Sequence, residues 1–159
     1  MIGFFELERI STHCGNIYTT PDEGDARKSA VWRTPVTNLE FNEHGAYARA
    51  GELTQRGYDL FRGGATEKTE NSDLASKYQR MLEMQCSSRF FVTEKGYLGL
   101  GPPDAAPGQE VVILLGFHMP FVMSKNEDGS YELVGEAYVH GIMDGEAVPG
   151  AEVEELRIV

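Results

Sequence analysis

The segment RFFVTEKGYLGLG, residues 89–101, changes the character of the chain. Phe90, Phe91 and Val92 suit a strand, Glu94-Lys95-Gly96 a tight turn, and Tyr97 to Leu100 a second strand. Downstream, GPPDAAPGQ (101–109) is a loop, because proline cannot join a ladder and Gly108 marks a turn. EVVILLG (110–116) is a short apolar run, read as a strand buried on both sides. MPFVMS (119–124) continues as a strand, and KNEDGS (125–130) turns, with Asp128-Gly129 as a hairpin signal. YELVGEAYVHGIM (131–143) is a further strand. Tyr131, Leu133, Gly135, Ala137 and Val139 share one of its faces, while Val134, Glu136, Tyr138 and His140 share the other. Short strands with regular turns predict a small five-stranded, barrel-like antiparallel sheet.

Upstream of Arg89 the pattern is helical. DARKSAVWRT (25–34) suits a helical turn or two, stopped by Pro35. GAYARAGELTQRGYDLFRGG (45–64) reads as a helix weakened by Gly51 and Gly57 and ended by Gly63-Gly64. ATEKTEN (65–71) is a polar linker. A start signal at Asn71 or Ser72, then Leu74, Tyr78, Met81 and Leu82 at helical spacing, predicts a helix over about 72–86. The first ten residues carry Ile2, Phe4, Phe5, Leu7 and Ile10, suiting a short strand or a buried arm. The fold expected is α+β, a few N-terminal helices packed on the sheet. It forms one domain over 1–159: a mainly helical segment (1–87), a β-rich segment (88–147) and an acidic tail (148–159). The tail is either mobile or returns to the sheet edge.

A formal net charge of −11 argues against nucleic acid, which needs a basic surface, and against anionic membranes. The start MIGFFELERIS lacks the basic region of a signal peptide, and no apolar run approaches a membrane span. Cys14 and Cys86 form no CxxC pair, so a disulfide framework or structural zinc is not expected. A reducing, cytoplasmic setting follows. A homodimer remains open.

Metal chemistry has little support. Glu136, His140 and Asp144 are the nearest to a ligand set, but Glu136 and His140 are about 13 Å apart by strand rise. No GxSxG elbow or Cys–His constellation is present. GYLGLGP (96–102) imitates a phosphate loop without its Lys-Ser/Thr or helix, and its glycines suit tight sheet curvature. The cofactor and metal expectation is none.

LLGFHMPFV (114–122) holds His118 between two phenylalanines. Phe117, His118, Met119, Phe121, Tyr138 and His140 fall in two segments able to neighbour each other. Together they would make an apolar cup with polar tips, the composition of a small-molecule pocket. Trp32 and Arg33 would close it from the helical side. The plainer alternatives are core packing for Trp32, a salt bridge or helix C-cap for Arg33, and local hydrogen bonds for Tyr138 and His140.

RFFVTEKGYLGLGP, PGQEVVILLG, PFV and DGSYELVGEAYVHGIMDGEA resemble the C-terminal region of fungal heterokaryon-incompatibility (HET-domain) proteins, over roughly residues 30–147. VWRT (31–34) and the helix near Tyr78 resemble that family's connecting region. In those proteins the HET domain precedes this region. The present chain opens at a methionine with no room for it, so the expectation is a standalone C-terminal module. Where the family has a small, glycine-rich link such as GGxxPFVLR, this chain has bulk at Phe117-His118-Met119 and lacks the arginine after the strand.

Standalone HET-like proteins of fungal natural-product pathways resemble the chain in size and layout, among them norbornene-forming Diels–Alderases of sordarin-type diterpene biosynthesis. That resemblance implies a cofactor-independent [4+2] cyclase acting on a small hydrophobic substrate with a conjugated carbonyl. In such a site Phe117, Phe121, Tyr97, Met119 and Trp32 would shape the cavity. His118, Tyr138, His140 or Arg33 would donate to a carbonyl or hold a carboxylate. The alternative is a non-catalytic interaction module. A weaker third option is an isomerase or hydrolase with His118 as general base.

Overall fold

The computed structural model describes residues 26–42, 44–64 and 70–159. The expected N-terminal strand or arm, with His13 and Cys14, lies outside these residues, as does the stretch 65–69.

The fold is α+β, with helices first and most strands after. Helix α1 (Ala26–Arg33) runs into a 3-10 turn over Thr34–Val36. Pro35 suits that first turn, where a backbone N–H would lack a partner anyway. Thr37 and Asn38 then reverse the chain with φ of 52° and 56°. A small hairpin follows, β1 (Leu39–Phe41) antiparallel to β2 (Tyr47–Arg49). Helices α2 (Glu52–Arg62) and α3 (Glu70–Met84) complete the helical half. The helix expected over 45–64 is therefore shorter at its start, where residues 47–49 are a strand instead.

The helical core gathers Ala30, Val31, Trp32, Val36, Ala50, Tyr58, Tyr78 and Met81. Leu98, fully buried, joins it from the sheet. This is what the stripe Leu74, Tyr78, Met81, Leu82 on α3 is for: an apolar face at 3.6-residue spacing seeks a partner surface.

After Arg89 come six strands, β3 (Arg89–Val92), β4 (Leu98–Gly101), β5 (Glu110–Val112), β6 (Phe121–Lys125), β7 (Tyr131–Glu136) and β8 (Tyr138–Val139). They form two three-stranded antiparallel sheets, β3-β4-β8 and β5-β6-β7, in place of the single five-stranded sheet expected. No closed barrel is present among the described residues. The division comes from the run 131–139, which serves both sheets. Its first part pairs with β6. At Ala137 the backbone N–H turns to the carbonyl of Pro120 (2.9 Å), and the next two residues pair with β4. The two sheets close on a shared core of Ala105, Val122, Ala137, Val139 and Ile142, with Phe91 and Val134 packed against it. Within the β3-β4-β8 sheet, Gly99 lies directly opposite Phe91 and leaves room for that ring to fold across β4. A Cβ there would stand 2.3 Å from the Phe91 ring.

The expected face alternation of 131–143 is altered by a bulge. Val122 faces Gly135 and Met123 faces Leu133, leaving Val134 as an extra residue on β7. Leu133, placed by strict alternation beside Tyr131, is exposed, while Val134 packs inward. The apolar run 110–116 is likewise not a fully buried strand. Only Glu110–Val112 pairs, and Leu115 is exposed.

The hairpin signals hold. Asn126 and Ser130 close the β6–β7 turn, whose Asp128 carboxylate accepts from the Ser130 backbone N–H and hydroxyl. Those bonds and Arg157 hold the Asp128 carboxyl below its usual range, the Ser130 hydroxyl contributing most. The tail returns to the sheet. Tyr131 N–H donates to the Arg157 carbonyl and Val159 N–H to the Tyr131 carbonyl, so Ile158 lies parallel beside β7.

Candidate functional site

Between the β1–β2 hairpin and the two sheets lies an open cleft of about 790 Å³. From the hairpin side come Thr37, Leu39, Tyr47 and Arg49. From the sheets and their loops come Leu100, Pro102, His118, Met119, Glu136, Tyr138, Met143 and Asp144. A smaller pocket of about 400 Å³ adjoins it, sharing His118, Met119, Met143 and Asp144 and adding Phe117, Ile113, Ile142 and Val148.

Strand alternation explains the placing of Tyr138. On β8, Val139 points into the shared core and is fully buried, so Tyr138 and His140 point the other way. The Tyr138 hydroxyl and His140 Nδ1 are 2.8 Å apart. Burial, and then the Arg33 charge, push the His140 pKa down to about 4, with Glu146 opposing and Arg49 adding to the fall. The imidazole is therefore neutral at neutral pH. In its Nε2–H tautomer, Nδ1 accepts the phenolic hydrogen. In the Nδ1–H tautomer the ring donates to the phenol oxygen, and the hydroxyl hydrogen is aimed elsewhere.

The low pKa has a stability consequence. An unfolded histidine titrates near ~6.5, so between that pH and about 4 the unfolded chain binds more protons than the folded one. Stability should fall as pH drops through this window and should not depend on this group above it. The expected loss is on the order of 2 kcal/mol, and His140→Gln should flatten it. Urea unfolding across this window, parent against variant, measures it. Equal pH slopes would mean His140 is not held neutral by the fold.

The structure gathers His118, Met119 and Tyr138 at the cleft, with His140 behind Tyr138. Other expected members sit elsewhere. Trp32 is 3% exposed in the helical core. Arg33 is fastened at the end of α1: its Nε donates to Ser29 Oγ (2.7 Å), its Nη1 to Asn38 Oδ1 (2.7 Å) and to the Ala50 carbonyl, and its guanidinium lies over the Trp32 ring at 4.2 Å. It reaches the site as a charge near His140, outside the cleft lining. Tyr97 packs against the core between the sheets. Phe121 is buried with Met123 and Tyr131, and meets Phe117 edge-on at 5.3 Å. Phe117 itself is 61% exposed and lines only the smaller pocket. His118 is exposed and borders both cavities. The segment 117–119 is loop, so these side chains enter from the approach to β6.

Sequence reading missed Arg49, Tyr47 and Leu39. The period-two alternation of small and large residues in Ala46-Tyr47-Ala48-Arg49-Ala50 is the signal that would have revealed the strand. Among the described residues, no group of three or more His, Cys, Asp or Glu could hold a metal. No described helix is long and apolar enough to cross a membrane.

Comparison with known proteins agrees with the architecture. Over 74 residues the chain is 45% identical to heterokaryon incompatibility protein 6, OR allele, of Neurospora crassa, covering 45% of this chain and 11% of that protein. The chain thus spans about a tenth of the length of the curated relative it matches. No solved structure matches. Residues 64–159, more than half of the chain and the whole of its two-sheet region, match the Het-6 beta-barrel domain, and the chain belongs to that family.

Proposed function

We propose that the cleft binds a small apolar molecule with a conjugated carbonyl and acts as a cofactor-independent cyclase. The reaction is an intramolecular [4+2] cycloaddition forming a norbornene, in fungal terpenoid biosynthesis. The observation that carries this reading is the Tyr138–His140 pair at the cleft. A substrate carbonyl selects the Nδ1–H tautomer of His140: the ring donates to the phenol oxygen, and the phenol donates to the carbonyl. That bond strengthens as electron density shifts from diene to dienophile, so it favours the transition state over the ground state. Three π bonds, two of the diene and one of the dienophile, become two carbon–carbon σ bonds and one new π bond; no group leaves, and no proton need transfer. The mainly apolar residues Leu39, Leu100, Met119 and Met143 fold the chain of the substrate and exclude water, and pre-orientation alone removes several kcal/mol of barrier.

The test is a cyclopentadiene tethered to an α,β-unsaturated aldehyde, followed by NMR for norbornene formation. The protein should accelerate the reaction over background, with chelator making no difference. Tyr138→Phe should lower the acceleration about tenfold without abolishing it. A second reading, a non-catalytic interaction module, draws on the exposed apolar side chains Leu115 and Phe117 and the neighbouring Val148. No acceleration over background would favour it and sink the cyclase.

A further inference from the structure

The charged groups of the cleft carry information about what it binds. Arg49 on β2 and Asp144 in the loop after β8 both line the cleft, and they pair through Arg49 Nη2 and Asp144 Oδ1. Their side chains are 52% and 62% exposed. A pair so open to water contributes little to stability. Asp144 has a separate hold on its loop, because its backbone N–H donates to Glu146 Oε2 at 2.7 Å. The loop therefore does not depend on Arg49. Among the described residues, Arg49 is the only lysine or arginine lining either cavity. Its planar fork can match a carboxylate in two parallel bonds, and Asp144 takes it through a single contact, Nη2 to Oδ1.

We infer that Arg49 is a carboxylate-binding residue, that Asp144 holds its place until a ligand arrives, and that the cleft takes an amphipathic acid: a carboxylate at Arg49 and an apolar body toward Met119 and Met143. This rests on the small-molecule reading of the cleft and names its substrate class. The exchange breaks one ion pair and makes another: the ligand carboxylate brings one negative charge to the site, and Asp144, already largely exposed, turns to water.

The test uses cis-parinaric acid, whose fluorescence rises in apolar surroundings, and its methyl ester, titrated into the parent chain, Arg49→Gln and Asp144→Asn. The acid should bind the parent more tightly than the ester. Arg49→Gln should weaken the acid by roughly tenfold and leave the ester unchanged. Asp144→Asn should tighten the acid by about threefold, because the competing carboxylate is gone. Equal binding of acid and ester to the parent, or an acid indifferent to Arg49→Gln, overturns the inference and leaves the cleft reading standing. Failure of both probes to bind overturns the two together.

Discussion

Tyr78→Ala should lower unfolding stability by about 4 kcal/mol, and Tyr78→Phe by about 2 kcal/mol. Tyr78 is 1% exposed at the point where all three helices meet. Its ring stands edge-on to Tyr58 at 5.6 Å and tilted against Phe61 at 5.9 Å, both on α2. Its hydroxyl donates to the Trp32 carbonyl at 2.8 Å. Trp32 sits in the last turn of α1, where carbonyls have no partner within the helix. Phenylalanine would keep the ring and leave that carbonyl buried and unmet. Alanine would also open a cavity between the helices. Burial first, and then the neighbouring Tyr58, raise the phenol well above its ordinary range, so it stays a donor throughout. Chemical denaturation of both variants separates the two contributions. Nearly equal losses would mean that packing of the ring is not what joins the helices.

Gly57→Val should cost about 3 kcal/mol, and Gly57→Ala should also destabilise. The second result is the sharper one. Helix propensity alone favours alanine over glycine by about 1 kcal/mol in a helix interior. At Gly57, however, a Cβ would stand 2.7 Å from the Leu74 carbonyl oxygen and 3.4 Å from Tyr78 Cβ. The obstacle is the backbone of α3, which cannot turn aside as a side chain would. The two helices must move apart or the contact must strain. Thermal unfolding followed by circular dichroism reads the sign directly. A stabilised Gly57→Ala would show that α2 and α3 pack less closely than described.

Where turn chemistry and spacing were strong, the sequence was a good guide. Asp128-Gly129 and Glu94-Lys95-Gly96 located two hairpins, and Leu74, Tyr78, Met81 and Leu82 located α3 within two residues of each end. The β1–β2 hairpin was hidden because its strands have three residues each and pair only with one another. Such short segments carry little periodicity, and the rough apolar face of Leu53, Tyr58, Leu60 and Phe61 beyond them suggests a helix that runs back across the strand. The bulge at Val134 was hidden because it depends on the partner strand. The site divides in the same way. His118, Met119 and Tyr138 border one cleft because they lie in two neighbouring segments of one half of the chain, a proximity legible in the sequence. Arg49 and Asp144 are 95 residues apart, and only the folded chain brings them to one cleft.

The returning tail has a meaning apart from the cleft. A strand at the margin of a sheet presents unpaired amides and carbonyls along its length, an invitation to any other extended chain. Here β7 is that margin, and it also carries the exposed Leu133. Residues 157–159 take up the main-chain positions at Tyr131, Leu156 packs onto the cluster beneath, and Arg157 is pinned to Asp128. The acidic run Glu152, Glu154 and Glu155 precedes them. Residues 157–159 thus occupy the main-chain N–H and C=O of Tyr131 at one end of that edge, so a strand added there would first have to displace them.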